Sequence, residues 1–294
     1  MRIGVTGASG LLGTALLPAL RSAGHAVVRI GRGPDADIRW NPAAGELDVA
    51  RCEGIDAFVH LAGATIGQRW TTAHRREIRD SRVQGTALIA RTAAALNPRP
   101  RVLVSASAVG IYGDAGDAFC DESAPAGTDY LADVCRAWES SADAARTAGI
   151  RTVQLRFGVV LSRHGGALAR LLPVFRLGAG GRVGSGRQWM SWLSTEDAVG
   201  IVGLALESDQ LAGAVNAAAP EPVTNAEFTA TLARVVRRPA LFPVPSFALN
   251  LVFGEMAQAT LLASQRVTPR RLLAAGYAFR HATLESALSA AVNE

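Results

Sequence analysis

A short apolar strand that runs directly into three evenly spaced glycines constrains this chain more than any other feature of its sequence. The strand is followed by Gly7, Gly10 and Gly13, in the pattern G-x-x-G-x-x-G, and a helix is expected to begin near Leu11. Glycines allow a tight turn and the close approach of a pyrophosphate, and the N-terminus of a helix favours a bound phosphate. Because a strand, a glycine turn and a helix open a βαβ unit, the sequence predicts a dinucleotide site rather than a turn with no ligand. The residues expected to bind the cofactor at this loop are Gly7, Ser9, Gly10, Leu11, Leu12 and Gly13.

The residues after the second predicted strand indicate which dinucleotide is bound. In dinucleotide-binding folds, an acidic residue about 20 positions after the glycine loop binds the ribose 2′-hydroxyl of NAD. Here the strand ends at Gly31-Arg32-Gly33, where no carboxylate is present. Arg32 offers a planar, permanently charged donor that suits a 2′-phosphate. The sequence therefore predicts NADP(H) rather than NAD(H), with an ordinary exposed loop arginine as the alternative.

Alternating strands and helices predict the fold of the first half of the chain. Short apolar runs, typical of strands that are buried on both faces, recur with alanine-rich helical stretches between them. The predicted strands after the first lie at 26–30, 57–61, 101–105 and 152–157. This order predicts a Rossmann-type α/β fold with a doubly wound parallel sheet.

The second half of the chain has a different texture. After about residue 161 it becomes rich in glycine, and prolines then separate three predicted helices at 195–207, 225–237 and 246–264. We therefore expect two domains. The first is an NADP-binding domain at 1–163, and the second is a smaller substrate-side domain at 164–294 with segments that return to the sheet.

Composition narrows the function further. All 30 basic residues are arginine, so any mechanism that needs a lysine is excluded. The arginines are scattered and lack interleaved aromatics, which argues against nucleic-acid binding. Arg75, Arg79 and Arg82 share one helical face, which we expect to be solvated.

The cysteines and the apolar segments indicate the compartment. Three cysteines, an odd number, suit a reducing cytoplasm and argue against a metal site. The chain begins with its first strand, so no signal peptide fits, and polar residues interrupt its most apolar long stretch at 247–263. A cytoplasmic protein without a membrane span is expected.

Several motifs together resemble a known family. The segments TGASGLLG at 6–13, DAFVHLAG at 56–63, SASAVGIYG at 105–113 and LRFGVVL at 155–161 resemble the extended short-chain dehydrogenase/reductase superfamily. More narrowly, the chain is similar to its atypical, epimerase-like subgroup, often called the YfcH or SDR39U1 family. The most specific segment is FRLGAGGRVGSGRQWMSWLSTED at 175–197, and the likeness extends over essentially the whole chain.

The resemblance implies a catalytic pair that this chain lacks. Members of the wider superfamily use a serine together with a tyrosine and a lysine four residues apart on one helix, where the lysine cation stabilises the phenolate. If Glu139 matches the acidic residue that follows that lysine, Cys135 occupies the lysine position and Leu131 the tyrosine position. Tyr130 is adjacent, but one residue turns a helical side chain by about 100°. The usual pair is therefore absent.

Two hydroxyl groups remain as candidate catalytic residues. Ser107 precedes Tyr112 by five residues, whereas the superfamily usually places its serine four residues before this tyrosine. One extra residue in a bulge would leave Ser107 facing the nicotinamide, and the alternative is that Ser107 bonds the backbone at the strand end. Tyr112 is a candidate substitute acid, with core packing as its alternative.

The resemblance adds further candidate cofactor contacts. They are His60, Leu61, Ala62, Arg76 and Ser81. For His60, a structural histidine with satisfied hydrogen bonds is an equal alternative. For Arg76 and Ser81, the alternative is a solvated helix face.

The glycine-rich segment suggests a small-molecule substrate. Arg182 and Arg187 could bind an anionic group, and the neighbouring Trp189 and Trp192 suggest a substrate wall or lid. The sequence therefore predicts an NADP(H)-binding, epimerase-like oxidoreductase or isomerase with an unusual proton relay. The alternative is a catalytically silent NADP(H)-binding sensor or regulatory protein.

Overall fold

The apolar runs of the sequence form strands, and the alanine-rich stretches between them form helices. The structure is a computed structural model that describes residues 1–293. Its strands are β1 (Arg2–Thr6), β2 (Ala26–Gly31), β3 (Ile38–Asn41), β4 (Glu46–Leu47), β5 (Ala57–His60), β6 (Val102–Ala108), β7 (Phe119–Cys120), β8 (Arg151–Phe157), β9 (Val159–Leu161), β10 (Trp189–Met190), β11 (Trp192–Ser194), β12 (Gly213–Ala217), β13 (Val223–Thr224) and β14 (Arg266–Val267). Its α-helices are α1 (Leu11–Ser22), α2 (Thr72–Ala95), α3 (Tyr130–Ser140), α4 (Asp143–Thr147), α5 (Gly166–Arg176), α6 (Thr195–Glu207), α7 (Asn225–Val236), α8 (Ser246–Phe253), α9 (Arg270–Ala274) and α10 (Leu284–Asn293).

The main sheet is doubly wound, which confirms the predicted fold. Its eight strands follow the order β12-β8-β6-β5-β1-β2-β3-β4, and all neighbours are parallel except β3 and β4. Helices α1 and α6 pack against one face, and helices α2 and α4 pack against the other. Adjacent residues of one strand therefore enter different cores: Phe58 packs with α2, and Val59 packs with α1 and α6.

The strand order reverses beside β1. This strand pairs with β2 on one side and with β5 on the other, and the chain reaches these two neighbours in opposite directions along the sheet. In open α/β sheets, ligands bind at the carboxyl ends of the strands at such a switch point. The fold therefore places the glycine loop, which follows β1 directly, at the position where a ligand is expected.

The segment after residue 163 adds one strand to the large sheet and contributes strands to three small ones. Strand β12 pairs with β8 at the edge of the main sheet, while β9 pairs with β11, β10 with β13 and β7 with β14. Helices α5, α7 and α10 contribute to a separate hydrophobic core. The division of the chain into 1–163 and 164–294 stays a prediction.

The third helix predicted in the second half is wrong. Instead of one helix over 246–264, α8 ends at Phe253 and a π-helical segment covers Ala257–Leu262. Gly254 separates the two because its φ of 59° lies in the left-handed region, which a continuing helix cannot use. Among residues 1–293, no helix combines the length and the apolar character needed to cross a membrane.

Candidate functional site

The glycine loop is crowded on two sides by backbone. Gly7 has a φ of 71°, and a Cβ atom at this position would lie 2.7 Å from the carbonyl carbon of Leu61 and 2.8 Å from the nitrogen of Ala62. A Cβ atom on Gly13 would lie 2.7 Å from the Cα atom of Ala8. Contacts this short are forbidden between carbon atoms, so positions 7 and 13 require glycine if the loop is to keep its shape.

The N-terminus of α1 is open to an anion. Its N-cap residue is Gly10, which has no side chain to bind the first N–H groups, and its first turn contains no acidic residue. Ser9 and Gly10 are exposed, whereas Leu11 and Leu12 are half-buried. The unsatisfied N–H groups and the helix dipole at such an end attract a phosphate. The loop therefore fits the pyrophosphate of a dinucleotide.

Arg32 lies directly after β2 as an exposed cation. Within residues 1–293, its side chain has no partner for a hydrogen bond or an ion pair, so its charge is available to a ligand. The nearby Asp37 is already paired with Arg29, with 3.0 Å between Nη2 and Oδ1. The hydrogen bond from Arg29 lowers the pKa of this carboxyl group. The end of β2 therefore offers a free guanidinium, while Asp37 is occupied.

His60 is buried in the structure, which favours its structural alternative, although its Nε2 atom has no hydrogen-bond partner among residues 1–293. Its side chain is fully buried, and its Nδ1 lies 2.7 Å from the hydroxyl oxygen of Thr6. Its ring also packs edge-on against Trp40, with 5.8 Å between ring centroids. A side chain without accessible surface cannot touch a bound cofactor. Leu61 and Ala62, in contrast, line the glycine loop with their backbone atoms.

The burial of His60 leads to a testable pH dependence of folding stability. Burial, with a smaller effect from Arg82, lowers the pKa of His60 from 6.5 to about 3. Between these pH values the unfolded chain binds a proton that the folded chain excludes, so the free energy of unfolding falls as the pH is lowered. We expect a loss of about 1.4 kcal/mol per pH unit below 6.5, measured by urea unfolding. The variant His60→Gln should lose this part of the slope, and equal slopes in the two proteins would contradict the expectation.

Ser81 and Arg82 fasten the loop that follows β5. The Ser81 hydroxyl accepts a hydrogen bond from the Ala64 nitrogen at 3.0 Å, and Arg82 donates to the Ala64 oxygen at 3.0 Å. A Cβ atom on Gly63 would lie 3.3 Å from the Cζ atom of Arg82, so this guanidinium lies directly against the loop. Arg76 is exposed and its side chain makes no hydrogen bond to another residue of 1–293.

Arg82 is the residue of this region that the sequence analysis missed. It was expected on a solvated face, but it is half-buried and its guanidinium lies 5.0 Å from the centre of the Trp138 ring. Burial lowers the pKa of Arg82. The sequence signal that could have identified Arg82 is its position directly after Ser81, a candidate cofactor contact. Arg82 thus contributes a positive charge beneath the loop after β5.

The helix α3 carries no tyrosine–lysine pair. Leu131 and Cys135, at the two expected positions, are both buried. Burial raises the pKa of the Cys135 thiol to about 12, so this side chain supplies no charge at neutral pH. The hydroxyl of Tyr130 donates to the Arg75 oxygen at 2.5 Å, and burial raises its pKa. None of these side chains can act as a readily ionised tyrosine.

Ser107 belongs to a buried ionic network. Its side chain donates a hydrogen bond of 2.7 Å to Oε1 of Glu139, and the residue is only 3% exposed. Glu139 in turn forms a two-pronged ion pair with Arg156, at 2.8 and 2.9 Å. Burial alone would lower the pKa of Arg156, but the hydrogen bond and charge of Glu139 outweigh it and raise this pKa. The structure therefore favours a structural role for Ser107 over the expected catalytic one.

Tyr112 is part of the same network, which favours its alternative role in core packing over that of a substitute acid. Its hydroxyl accepts a hydrogen bond of 3.0 Å from Arg156 and lies 2.7 Å from Oδ1 of Asn216. The side chain is 3% exposed and packs in an apolar cluster. Burial raises the pKa of Tyr112, which keeps the phenol protonated. Its alternative, core packing, is the role that the structure supports.

Comparisons with known proteins agree with the fold described above. Residues 3–218 match the NAD dependent epimerase/dehydratase family, and residues 244–291 match a domain of unknown function, DUF1731. An epimerase family protein of Mycobacterium bovis is 44% identical over 290 residues, covering 97% of this chain and 96% of that protein. The human epimerase family protein SDR39U1 is 38% identical over 295 residues and covers 98% of each chain.

A solved structure supports the same relationship. The crystal structure of human SDR39U1 isoform 2 with NADPH matches this fold with a TM-score of 0.91 and 35% sequence identity, and the match covers 100% of both chains. The extent of these matches confirms the resemblance that the motifs carried. The chain therefore belongs to the NAD dependent epimerase/dehydratase family and, within it, to the SDR39U1 group of epimerase family proteins.

Proposed function

We propose that the protein is an NADP(H)-binding, epimerase-like oxidoreductase or isomerase that acts on a small molecule. The observation that carries this proposal is the combination of an uncapped α1 N-terminus with a free guanidinium at the end of β2. The first feature suits a pyrophosphate, and the second suits the 2′-phosphate that distinguishes NADP(H) from NAD(H). The presence of NADPH in the structure of human SDR39U1 supports the same cofactor here.

Different residues around the loop are suited to different parts of the cofactor. The N–H groups of the first turn of α1 hold the pyrophosphate, and Gly7 and Gly13 allow it to approach the backbone. Arg32 binds the 2′-phosphate, while Leu61 and Ala62 line the glycine loop with backbone atoms. Arg76 and Ser81 belong to α2, the helix that borders the loop after β5. When bound, the cofactor supplies or accepts a hydride.

Proton transfer in such a reaction cannot follow the usual route of the superfamily. Leu131 and Cys135 provide neither an acid nor a cation, and the hydroxyls of Ser107 and Tyr112 are engaged in the buried network. With these four side chains unsuited to the task, we infer that water or the substrate itself supplies the proton. Arg82 supplies positive charge next to the site without exchanging protons, since a guanidinium stays charged.

The engaged hydroxyls also favour a second candidate function. A protein that binds NADP(H) without transferring hydride would act as a sensor or regulatory protein, and it would need no general acid. Stopped-flow mixing of the NADPH-loaded protein with a panel of carbonyl compounds separates the two functions. Loss of NADPH absorbance supports the oxidoreductase, and a silent panel with tight NADPH binding supports the sensor.

The choice of NADP(H) can be tested by replacing Arg32 with alanine. We expect the affinity for NADPH to fall by about tenfold or more, because one charge-assisted pair with the 2′-phosphate is lost. The affinity for NADH should stay unchanged, since NADH lacks this phosphate. Fluorescence titration with both cofactors measures the difference, and Arg91→Ala, an exposed arginine on α2, is the matched control. Equal losses for NADPH and NADH would contradict the assignment.

A further inference from the structure

The guanidinium of Arg266 lies against two aromatic rings, one from each half of the chain. Arg266, on β14, has its Cζ atom 3.8 Å from the centre of the Phe119 ring and 3.9 Å from the centre of the Trp189 ring. Stacking on aromatic rings is a favourable arrangement for a guanidinium. Here two rings, one on β7 and one on β10, contact the same guanidinium.

The edges of this guanidinium are left without partners. Its Nε atom is buried and makes no hydrogen bond, and its two terminal nitrogens make none to any of residues 1–293. The terminal nitrogens differ from Nε because solvent reaches them. No carboxylate among the same residues lies within 4 Å of the side chain as an ion-pair partner. The Nε–H group is thus a buried donor without a partner, which is costly, while the terminal N–H groups stay free to bind a ligand.

The surroundings hold the two rings in place. The indole nitrogen of Trp189 donates a hydrogen bond of 2.8 Å to Oδ1 of Asp117. Phe119 lies directly opposite Arg266 in the pairing of β7 with β14. Phe119 is 61% exposed in this position, so the site lies at the protein surface.

We propose that Arg266 is an anion-binding residue, and that it holds a phosphate or carboxylate group of the small-molecule substrate. Since two rings lie against the guanidinium and its Nε atom is buried, the terminal N–H groups are the ones that a ligand can reach. Two parallel hydrogen bonds to one oxyanion are the arrangement that such a fork makes best. Trp189 is thus a wall of the site, as its position in the glycine-rich segment suggested. Trp192 is fully buried and takes no part.

The proposal differs from the anion site suggested by the sequence. Arg182 and Arg187 are exposed, and Arg182 donates a hydrogen bond of 3.2 Å to the Ser185 oxygen. Neither has the stacked geometry that fixes the Arg266 fork. The inference rests on the proposed function only for the identity of the ligand as the substrate, because the site itself does not involve the cofactor loop.

Titration with simple anions tests the site without the cofactor. Inorganic pyrophosphate and malonate represent the two oxyanion chemistries, and each is titrated at constant ionic strength while tryptophan fluorescence is recorded. We expect saturable binding of at least one of them, and Arg266→Met should weaken that binding tenfold or more. Methionine keeps the length of the side chain and its contact with the rings but removes the charge. Arg91→Met, which removes one exposed charge from α2, should bind as the unmodified protein does.

The outcomes separate this proposal from the proposed cofactor. Pyrophosphate binding that Arg266→Met removes points to a phosphate-bearing substrate, and malonate binding that it removes points to a carboxylate; pyrophosphate that still binds to Arg266→Met at reduced affinity occupies the glycine loop. Failure of both anions to bind, or equal binding by Arg266→Met, overturns it. If Arg266→Met does not fold, Phe119→Ala replaces it as the test, since loss of one ring should weaken anion binding by severalfold. NADPH affinity is measured in every variant and should be unchanged. If the unmodified protein does not bind NADPH, that result contradicts the proposed function and leaves the anion site unaffected.

Discussion

Replacing Gly13 with alanine is expected to weaken NADPH binding at least 100-fold while the protein still folds. The added methyl group would lie 2.7 Å from the Cα atom and from the carbonyl carbon of Ala8, and closer still to the oxygen of Gly7. All three atoms belong to the backbone, so no side chain can rotate away. The loop and the start of α1 must therefore move apart, which displaces the N–H groups that bind the pyrophosphate. A 100-fold loss corresponds to about 2.8 kcal/mol of binding free energy.

Fluorescence or calorimetric titration with NADPH measures this loss, and thermal unfolding separates it from a loss of structure. Overpacking of this kind costs about 1–3 kcal/mol of stability, which leaves a typical domain folded. The matched control is Gly203→Ala in α6, where a Cβ atom would meet nothing within 4 Å. That variant should bind NADPH normally and be slightly more stable, because alanine favours a helix by about 1 kcal/mol over glycine. NADPH binding by Gly13→Ala within threefold of normal would contradict the proposed use of the loop.

The part of the site that depends on local sequence could be predicted. A strand, a glycine turn and a helix lie next to one another in the chain, so the positions of Gly7, Gly10 and Gly13 follow from their spacing. Arg32 follows in the same way, since it lies directly after the next strand. The helices at 195–207 and near 225–237 could also be predicted, because amphipathic periodicity is a local property.

The part that depends on distant partners could not be predicted. Ser107 and Tyr112 resemble catalytic residues in the sequence, but their partners Glu139, Arg156 and Asn216 follow at separations of 32 to 104 residues. Only the tertiary fold brings these groups together. Burial is equally non-local. His60 ends a strand and could face a cofactor according to the sequence, but in the fold its ring contacts Trp40 and Thr6. The same reason explains why Arg82 was placed in solvent and Arg266 was not considered.

Replacement of Glu139 by alanine is expected to destabilise the protein by about 3–5 kcal/mol. Glu139 and Arg156 have side chains that are only 13% and 10% exposed, so the pair is shielded from water. Loss of the carboxylate leaves the Arg156 charge buried without compensation, and it also removes the acceptor of the Ser107 hydroxyl. Urea unfolding of the two proteins measures the difference. A loss of this size is a large fraction of the stability of a typical domain.

Two comparisons establish that burial of the unpaired charge is the cause. Glu285→Ala breaks the exposed pair with Arg234, whose partners are 62% and 61% exposed, and should cost less than about 1 kcal/mol. The double variant Glu139→Ala, Arg156→Met removes both charges, so it should recover part of the loss seen with Glu139→Ala alone. If Glu139→Ala and Glu285→Ala lost the same free energy of unfolding, the network would behave as an ordinary surface interaction. The same would follow if the double variant lost the sum of the Glu139→Ala and Arg156→Met losses. Recovery in the double variant would instead mean that the loss in Glu139→Ala comes from the Arg156 charge that is left buried without a partner.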